Sequence, residues 1–133
     1  GLPLARFADW AVVVDTQVDF ELYNQLPGLI AKHKPTFVLI HLIDVDEAGH
    51  AHGPYSVEVK KAAADMDRNL KRLFRNLVEE NYGLMALADH GMHSVSPKSA
   101  GSDSHLGDHN GSVEEDLAVP LIWASPKELA SAI

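Results

Sequence analysis

Three short apolar runs in this chain each end on an aspartate. Trp10-Ala11-Val12-Val13-Val14 stops at Asp15, Phe37-Val38-Leu39-Ile40-His41-Leu42-Ile43 stops at Asp44, and Leu84-Met85-Ala86-Leu87-Ala88 stops at Asp89. A fourth run, Leu117 to Trp123, contains Val119-Pro120-Leu121-Ile122. Apolar runs this short, without polar alternation, are the mark of strands covered on both faces, as in a parallel sheet. Pro120 cannot donate to a ladder, so the fourth run is an edge strand or the start of one. His41, inside the second run, is read as a core residue with its ring satisfied.

The helices between these runs set the fold class. Val59, Ala63, Met66, Leu70, Leu73 and Leu77 recur at steps of three and four, with Lys60, Lys61, Asp67, Arg68, Lys71, Arg72 and Arg75 on the other faces. That spacing predicts one long amphipathic helix. Pro54 and Ser56 mark its start, and Asn81 with Gly83 its stop. A shorter helix falls within residues 20–33, interrupted or begun at Pro27, before the Lys34-Pro35 break. Strand, helix, strand, helix, strand implies right-handed crossovers and an α/β fold: a mostly parallel sheet with helices on both faces. At 133 residues the chain is expected to be a single domain, 1–133. Residues 91–116 form a long polar stretch rich in Gly and Ser, and loops of that length are usually functional or disordered.

Composition narrows the chemistry. The net charge of −8 argues against a nucleic-acid or anionic-membrane surface, both of which need clustered Lys and Arg. No apolar run approaches the roughly 20 residues of a membrane span. With no cysteine, disulfides, thiolate metal sites and Cys nucleophiles are excluded, and the compartment is left open. The start, Gly1-Leu2-Pro3-Leu4, reads as a cut end rather than a signal peptide.

Ligands of open parallel sheets collect beyond the carboxyl ends of the strands. There the second run is followed by Asp44-Val45-Asp46-Glu47-Ala48-Gly49-His50-Ala51-His52-Gly53-Pro54, and the third by Asp89-His90-Gly91-Met92-His93. The long loop adds His105, Asp108 and His109, and 6 of the 8 histidines fall between positions 50 and 109. Imidazole with carboxylate is the donor set of zinc or another borderline divalent ion. Strands about 4.8 Å apart could bring two such ions to the roughly 4 Å spacing of two-metal hydrolytic sites.

Asp46-Glu47-Ala48-Gly49-His50 with Gly53-Pro54 resembles the Asp-x-x-x-His…Gly-Pro segment of the alkaline phosphatase superfamily. The similarity is to its branch of nucleotide pyrophosphatases, phosphodiesterases and ethanolamine-phosphate transferases. Ala88-Asp89-His90-Gly91-Met92 looks like that branch's Asp-His-Gly-Met segment, and His109-Asn110-Gly111-Ser112 through Val119-Pro120-Leu121 like its distal His-Gly-Gly segment with the Val-Pro-Leu strand. The three matches come in family order over residues 37–123, with Asn110 standing where Gly is more usual.

The resemblance implies an alkaline phosphatase-like fold and a metal-dependent phosphoric ester hydrolase or transferase with two divalent ions, zinc or else manganese. Asp46, His50 and His109 would hold one ion, and Asp89 and His90 the second. In the family the second ion is completed by an upstream Asp and a Ser or Thr nucleophile that takes up the phosphoryl group. That segment is expected outside this chain, which would then be the C-terminal portion of a larger catalytic domain whose missing N-terminal half is its partner. Asp15-Thr16 is the in-chain candidate, with Thr16 as nucleophile, but it lies far closer to the Asp-x-x-x-His segment than the family's spacing allows. The substrate class is a small-molecule or lipid-linked phosphate ester.

Blander readings stand beside these. Asp46 and His50 could cap the next helix and decorate a turn, Asp89 and His90 could belong to an exposed strand-to-loop turn, and His105 is the rival of His109. Asp44 is read as a cap or an acceptor for a ligand's N–H; His52 and His93 as site-lining or solvated; His33 as a favourable helix C-terminal cation. At the level of function, the alternatives are a non-catalytic metal-binding or interaction fragment, and a sulfatase- or mutase-type relative.

Overall fold

A computed structural model describes residues 8–9, 19–96 and 105–132. The first apolar run, with Asp15 and Thr16, lies outside the described residues. The elements are α1 (Asp19–His33), α2 (Asp44–His52), α3 (Val57–Glu79), β1 (Leu84–Leu87), β2 (His93–Ser94), β3 (Gly107–Asp108), α4 (Glu114–Leu117), β4 (Leu121–Ala124) and α5 (Pro126–Ser131).

The long helix forms where its apolar spacing requires. Ser56 caps it, its hydroxyl accepting from Val59 N at 3.2 Å. At the other end Asn81 turns left-handed at φ 58°, Asn81 N donates to Val78 O and Tyr82 N to Leu77 O. These are the paired bonds that close a helix by a Schellman turn. The stripe is buried mainly toward its C-terminal half, at Leu73 and Leu77, whereas Ala63 is exposed. Leu73 and Leu77 meet Leu26 and Ile30 of α1 and Leu129 of α5, with Phe74, Val78, Tyr82, Leu84 and Ala124 packed around them. Each fully buried Leu or Ile contributes about 1.5–3 kcal/mol. Helix α1 is neither interrupted nor begun at Pro27 but runs through it. Burial of Tyr23, Leu26 and Ile30 on one face outweighs the backbone bond that proline removes.

The sheets differ from the parallel arrangement expected from the apolar runs. Among the described residues there are two, each two-stranded and antiparallel: β1 with β4, pairing Leu84 with Ala124 and Leu87 with Leu121, and β2 with β3, pairing His93 with Asp108. Connectivity explains the direction. The chain leaves β1, returns through β2, β3 and α4, and enters β4 with Leu121 beside Leu87, with no crossover helix between them among the described residues. Residues 37–43 pair with no strand among the described residues. Val38 and Ile40 lean on the core while Phe37 and Leu39 are open, so this run is covered on one side only. The strand expected to precede it lies outside the described residues, and a strand buried on both faces needs such neighbours. No helix among the described residues is long and apolar enough to cross a membrane.

Candidate metal centre

The segment after residue 43 is a helix, α2, rather than a loop. Its first turn is tied to α1: the Asp19 carboxylate accepts from Ile43 N at 2.9 Å and Asp44 N at 3.1 Å, while Asp44 Oδ1 accepts from Asp19 N at 3.1 Å. Asp44 is thus a cap partner. Burial first, then the neighbouring Asp19 charge, raise its pKa against the N–H bond from Asp19 that favours its ionised form. Burial and these two carboxylates also push the Tyr23 phenol up. Acidic Asp44, Asp46 and Glu47 in the first turn suit the helix dipole. Helical spacing of four puts Asp46 and His50 on one face.

That face closes on β3 through two glycines. A Cβ on Gly49 or on Gly107 would overlap the Met92 sulfur, and one on Gly107 would also strike the Gly49 carbonyl. The absence of both lets α2 and β3 approach closely enough for Leu106 N to donate to His50 O at 2.7 Å. His50 Nδ1 lies 2.9 Å from Gly107 O, and His90 Nδ1 2.9 Å from Gly91 O. A carbonyl only accepts, so both Nδ1 atoms carry the proton, which leaves Nε2 of each ring with a lone pair in its neutral form.

Those lone pairs converge. His50 Nε2 is 3.5 Å from Asp46 Oδ2 and 3.0 Å from His109 Nε2; Asp46 Oδ1 is 3.7 Å from His109 Nε2 and 3.9 Å from His90 Nε2. The His90 and His109 rings stack with centroids 3.5 Å apart at 13°. Asp46, His90 and His109 each offer a donor atom within 4.8 Å of the others. Tetrahedral zinc with donors about 2.0–2.2 Å away sets them roughly 3.4 Å apart. The donor set therefore fits a zinc-sized cation, and one further feature supports that fit: Asp46 Oδ1 is buried without a hydrogen-bond partner. An unpaired buried carboxylate oxygen facing imidazole lone pairs is costly unless a cation sits between them.

Asp89 stands outside that trio. It is largely exposed, with Oδ1 3.6 Å from His90 Nε2 and Oδ2 3.6 Å from His41 Nε2. Burial pushes its carboxyl up, but its own backbone N–H and the His90 and His41 rings outweigh this and hold it low. His90 Nε2 therefore has both the Asp46 and the Asp89 carboxylates close by. His41 is half exposed and faces this carboxylate; it is not the core residue its apolar neighbours implied. His105 is exposed, its ring 5.3 Å from that of His50, and only His109 of the two joins the trio.

One pair escaped the sequence reading. His93 Nδ1 lies 2.7 Å from the Oδ1 of Asp116, whose side chain is 1% exposed. Asp116 Oδ2 accepts from Gly111 N at 3.0 Å. Burial pushes this carboxyl up, yet the bonds from His93 and Gly111 outweigh it and hold the group low. The partners are 23 residues apart and no periodicity links them; an acidic residue in a short helical turn is the one sequence signal.

The sequence model of the type I phosphodiesterase / nucleotide pyrophosphatase family matches residues 6–132. GPI ethanolamine phosphate transferase 2 of Debaryomyces hansenii is 27% identical over 112 residues, 84% of this chain and 12% of the relative. GPI ethanolamine phosphate transferase 3, catalytic subunit, of Homo sapiens is 33% identical over 90 residues, 67% of this chain and 7% of the relative. Venom phosphodiesterase 2 of Crotalus adamanteus is 37% identical over 67 residues, 47% of this chain and 8% of the relative. The chain thus spans about an eighth or less of the length of these relatives. No solved structure matches it significantly.

Proposed function

The chain belongs to the type I phosphodiesterase / nucleotide pyrophosphatase family, and from that premise we propose that it carries the metal-binding part of a phosphodiesterase or phosphotransferase acting on phosphate esters. The observation that carries this reading is the convergence of Asp46, His90 and His109 around an unpaired buried carboxylate oxygen. Asp46, His50 and His109 hold one divalent ion, zinc in the first instance, and Asp89 with His90 contributes to a second. Bound ions supply charge for the phosphoryl oxygens and lower the pKa of an attacking hydroxyl.

The chain's own residues do the positioning. Gly107 O and Gly91 O orient the His50 and His90 rings so that each Nε2 faces the pocket. Asp46 faces His50 through Oδ2 and His90 and His109 through Oδ1. The nucleophile comes from a segment other than those described, with Thr16 the in-chain alternative. The mostly parallel sheet belongs to the same proposal: the open Phe37, Leu39, Met85 and Trp123 are where further layers of a larger catalytic domain would pack, with this chain as its C-terminal portion. The ethanolamine phosphate transferase relatives favour a lipid-linked phosphate ester, and the venom enzymes a small-molecule phosphodiester.

The test is metal content of the full-length protein by mass spectrometry, with turnover of aryl phosphodiester, phosphomonoester and sulfate ester. Bound divalent metal and phosphodiester turnover, both lost in His109→Ala, are expected. Protein that carries no divalent ion, or turnover indifferent to that substitution, refutes the assignment; preference for the sulfate ester reassigns it to sulfuryl transfer.

A further inference from the structure

The two segments that carry His90 and His109 meet on one residue. Asp116 O accepts from Gly91 N at 2.8 Å, Asp116 Oδ2 from Gly111 N at 3.0 Å, and Asp116 Oδ1 from His93 Nδ1 at 2.7 Å. Gly91 follows His90 directly, and Gly111 lies two residues beyond His109. The fit is close: a Cβ on Gly91 would strike the Glu115 carbonyl, so the backbone after His90 lies against α4 itself.

We propose that Asp116 is a positioning residue for the metal site, a buried latch that holds the His90 and His109 segments at the separation the metal centre requires. The proposal rests on the metal-centre reading above. The residue type follows from the donors. Two N–H groups from different segments point at the two side-chain oxygens, so the partner must accept on both. A carboxylate does this with both donors in place; an amide that keeps Gly111 N turns its own N–H toward His93, whose ring must then move its proton to Nε2, so the charge-assisted tie to that segment is replaced by a weaker neutral one. Side chains that hold ligand-bearing segments typically change metal affinity by 10–100-fold when removed. His93 acts on this account through Asp116, as the third tie of the latch, three residues beyond His90.

The experiment is zinc titration of the full chain by calorimetry, comparing wild type, D116N and H93Q, with the thermal midpoint of the metal-free proteins measured alongside. The expected result is an affinity of the folded protein about 10–100-fold weaker in D116N and several-fold weaker in H93Q, whether or not the metal-free midpoint also falls. A purely structural role lowers the metal-free midpoint and leaves the affinity of the folded fraction unchanged, which overturns the proposal. If D116N does not fold, H93Q decides: unchanged affinity overturns the latch and weakened affinity supports it. Wild type that binds no zinc removes the metal-centre reading itself and the latch with it, whereas zinc-binding wild type with equal affinity in D116N removes the latch alone.

Discussion

Replacing Asp46 by Asn tests the metal centre through opposite effects with and without metal. In the metal-free protein Asp46 Oδ1 is buried and unpaired, with imidazole nitrogens 3.7 and 3.9 Å away and Oδ2 3.5 Å from a third. An amide there can donate to one of those lone pairs, and a neutral hydrogen bond gained at a buried site is worth about 1 kcal/mol. Metal-free D46N is therefore as stable as wild type or more so, by up to about 4 °C in midpoint for a chain of this size. With zinc at about 100 times the wild-type dissociation constant, binding stabilises wild type by about 2.7 kcal/mol. A variant at least 100-fold weaker in affinity retains about 0.4 kcal/mol of that, a deficit of about 2.3 kcal/mol, or roughly 8 °C in midpoint. The assay is differential scanning fluorimetry at pH 8, where histidine is ordinarily neutral, with chelator and then with zinc. A metal-free D46N several degrees less stable than wild type, or one that keeps the full zinc shift, refutes the role given to this carboxylate.

Two further outcomes follow from the same structure. Leu73→Ala empties a site only 2% exposed at the centre of the α1–α3–α5 core and is expected to cost about 3–4 kcal/mol in urea unfolding, without changing zinc affinity of the folded protein. Asp116 is held low in the fold, so its ionised form contributes stability above the ordinary carboxylate range near pH 4, and that contribution is lost as pH falls through its depressed folded pKa. Urea midpoints between pH 6 and 2 should fall less steeply in D116N, and an identical acid limb rejects this.

Local signals in the chain were most informative where one helix or one turn carries the information. Ser56, the apolar stripe through Leu77 and the Asn81 stop place α3 to within a residue or two, because each acts within its own turn. Pro120 marks the start of β4 in the same way. Helix α2 is less legible: Gly49 and the polar residues around it leave no apolar stripe, and its start is tied by Asp19, 25 residues upstream. Sheet direction was not legible, because apolar runs report burial and not pairing. Of the residues singled out for metal, the spacing brought Asp46 and His50 to one helix face, but that His90 stacks on His109 depends on α4, Asp116 and a glycine contact, none of which has a linear signature.

The apolar centre lies among α1, α3 and α5, whereas the donors hang from α2 and the β2–β3 ribbon and are joined to the scaffold by glycine contacts and polar ties. Scaffold and chemistry thus draw on separate sets of residues. A lineage could lose or retune its cation by drift at one end of the molecule while the helical frame persisted, and a chain that has done so would look intact by every test of folding.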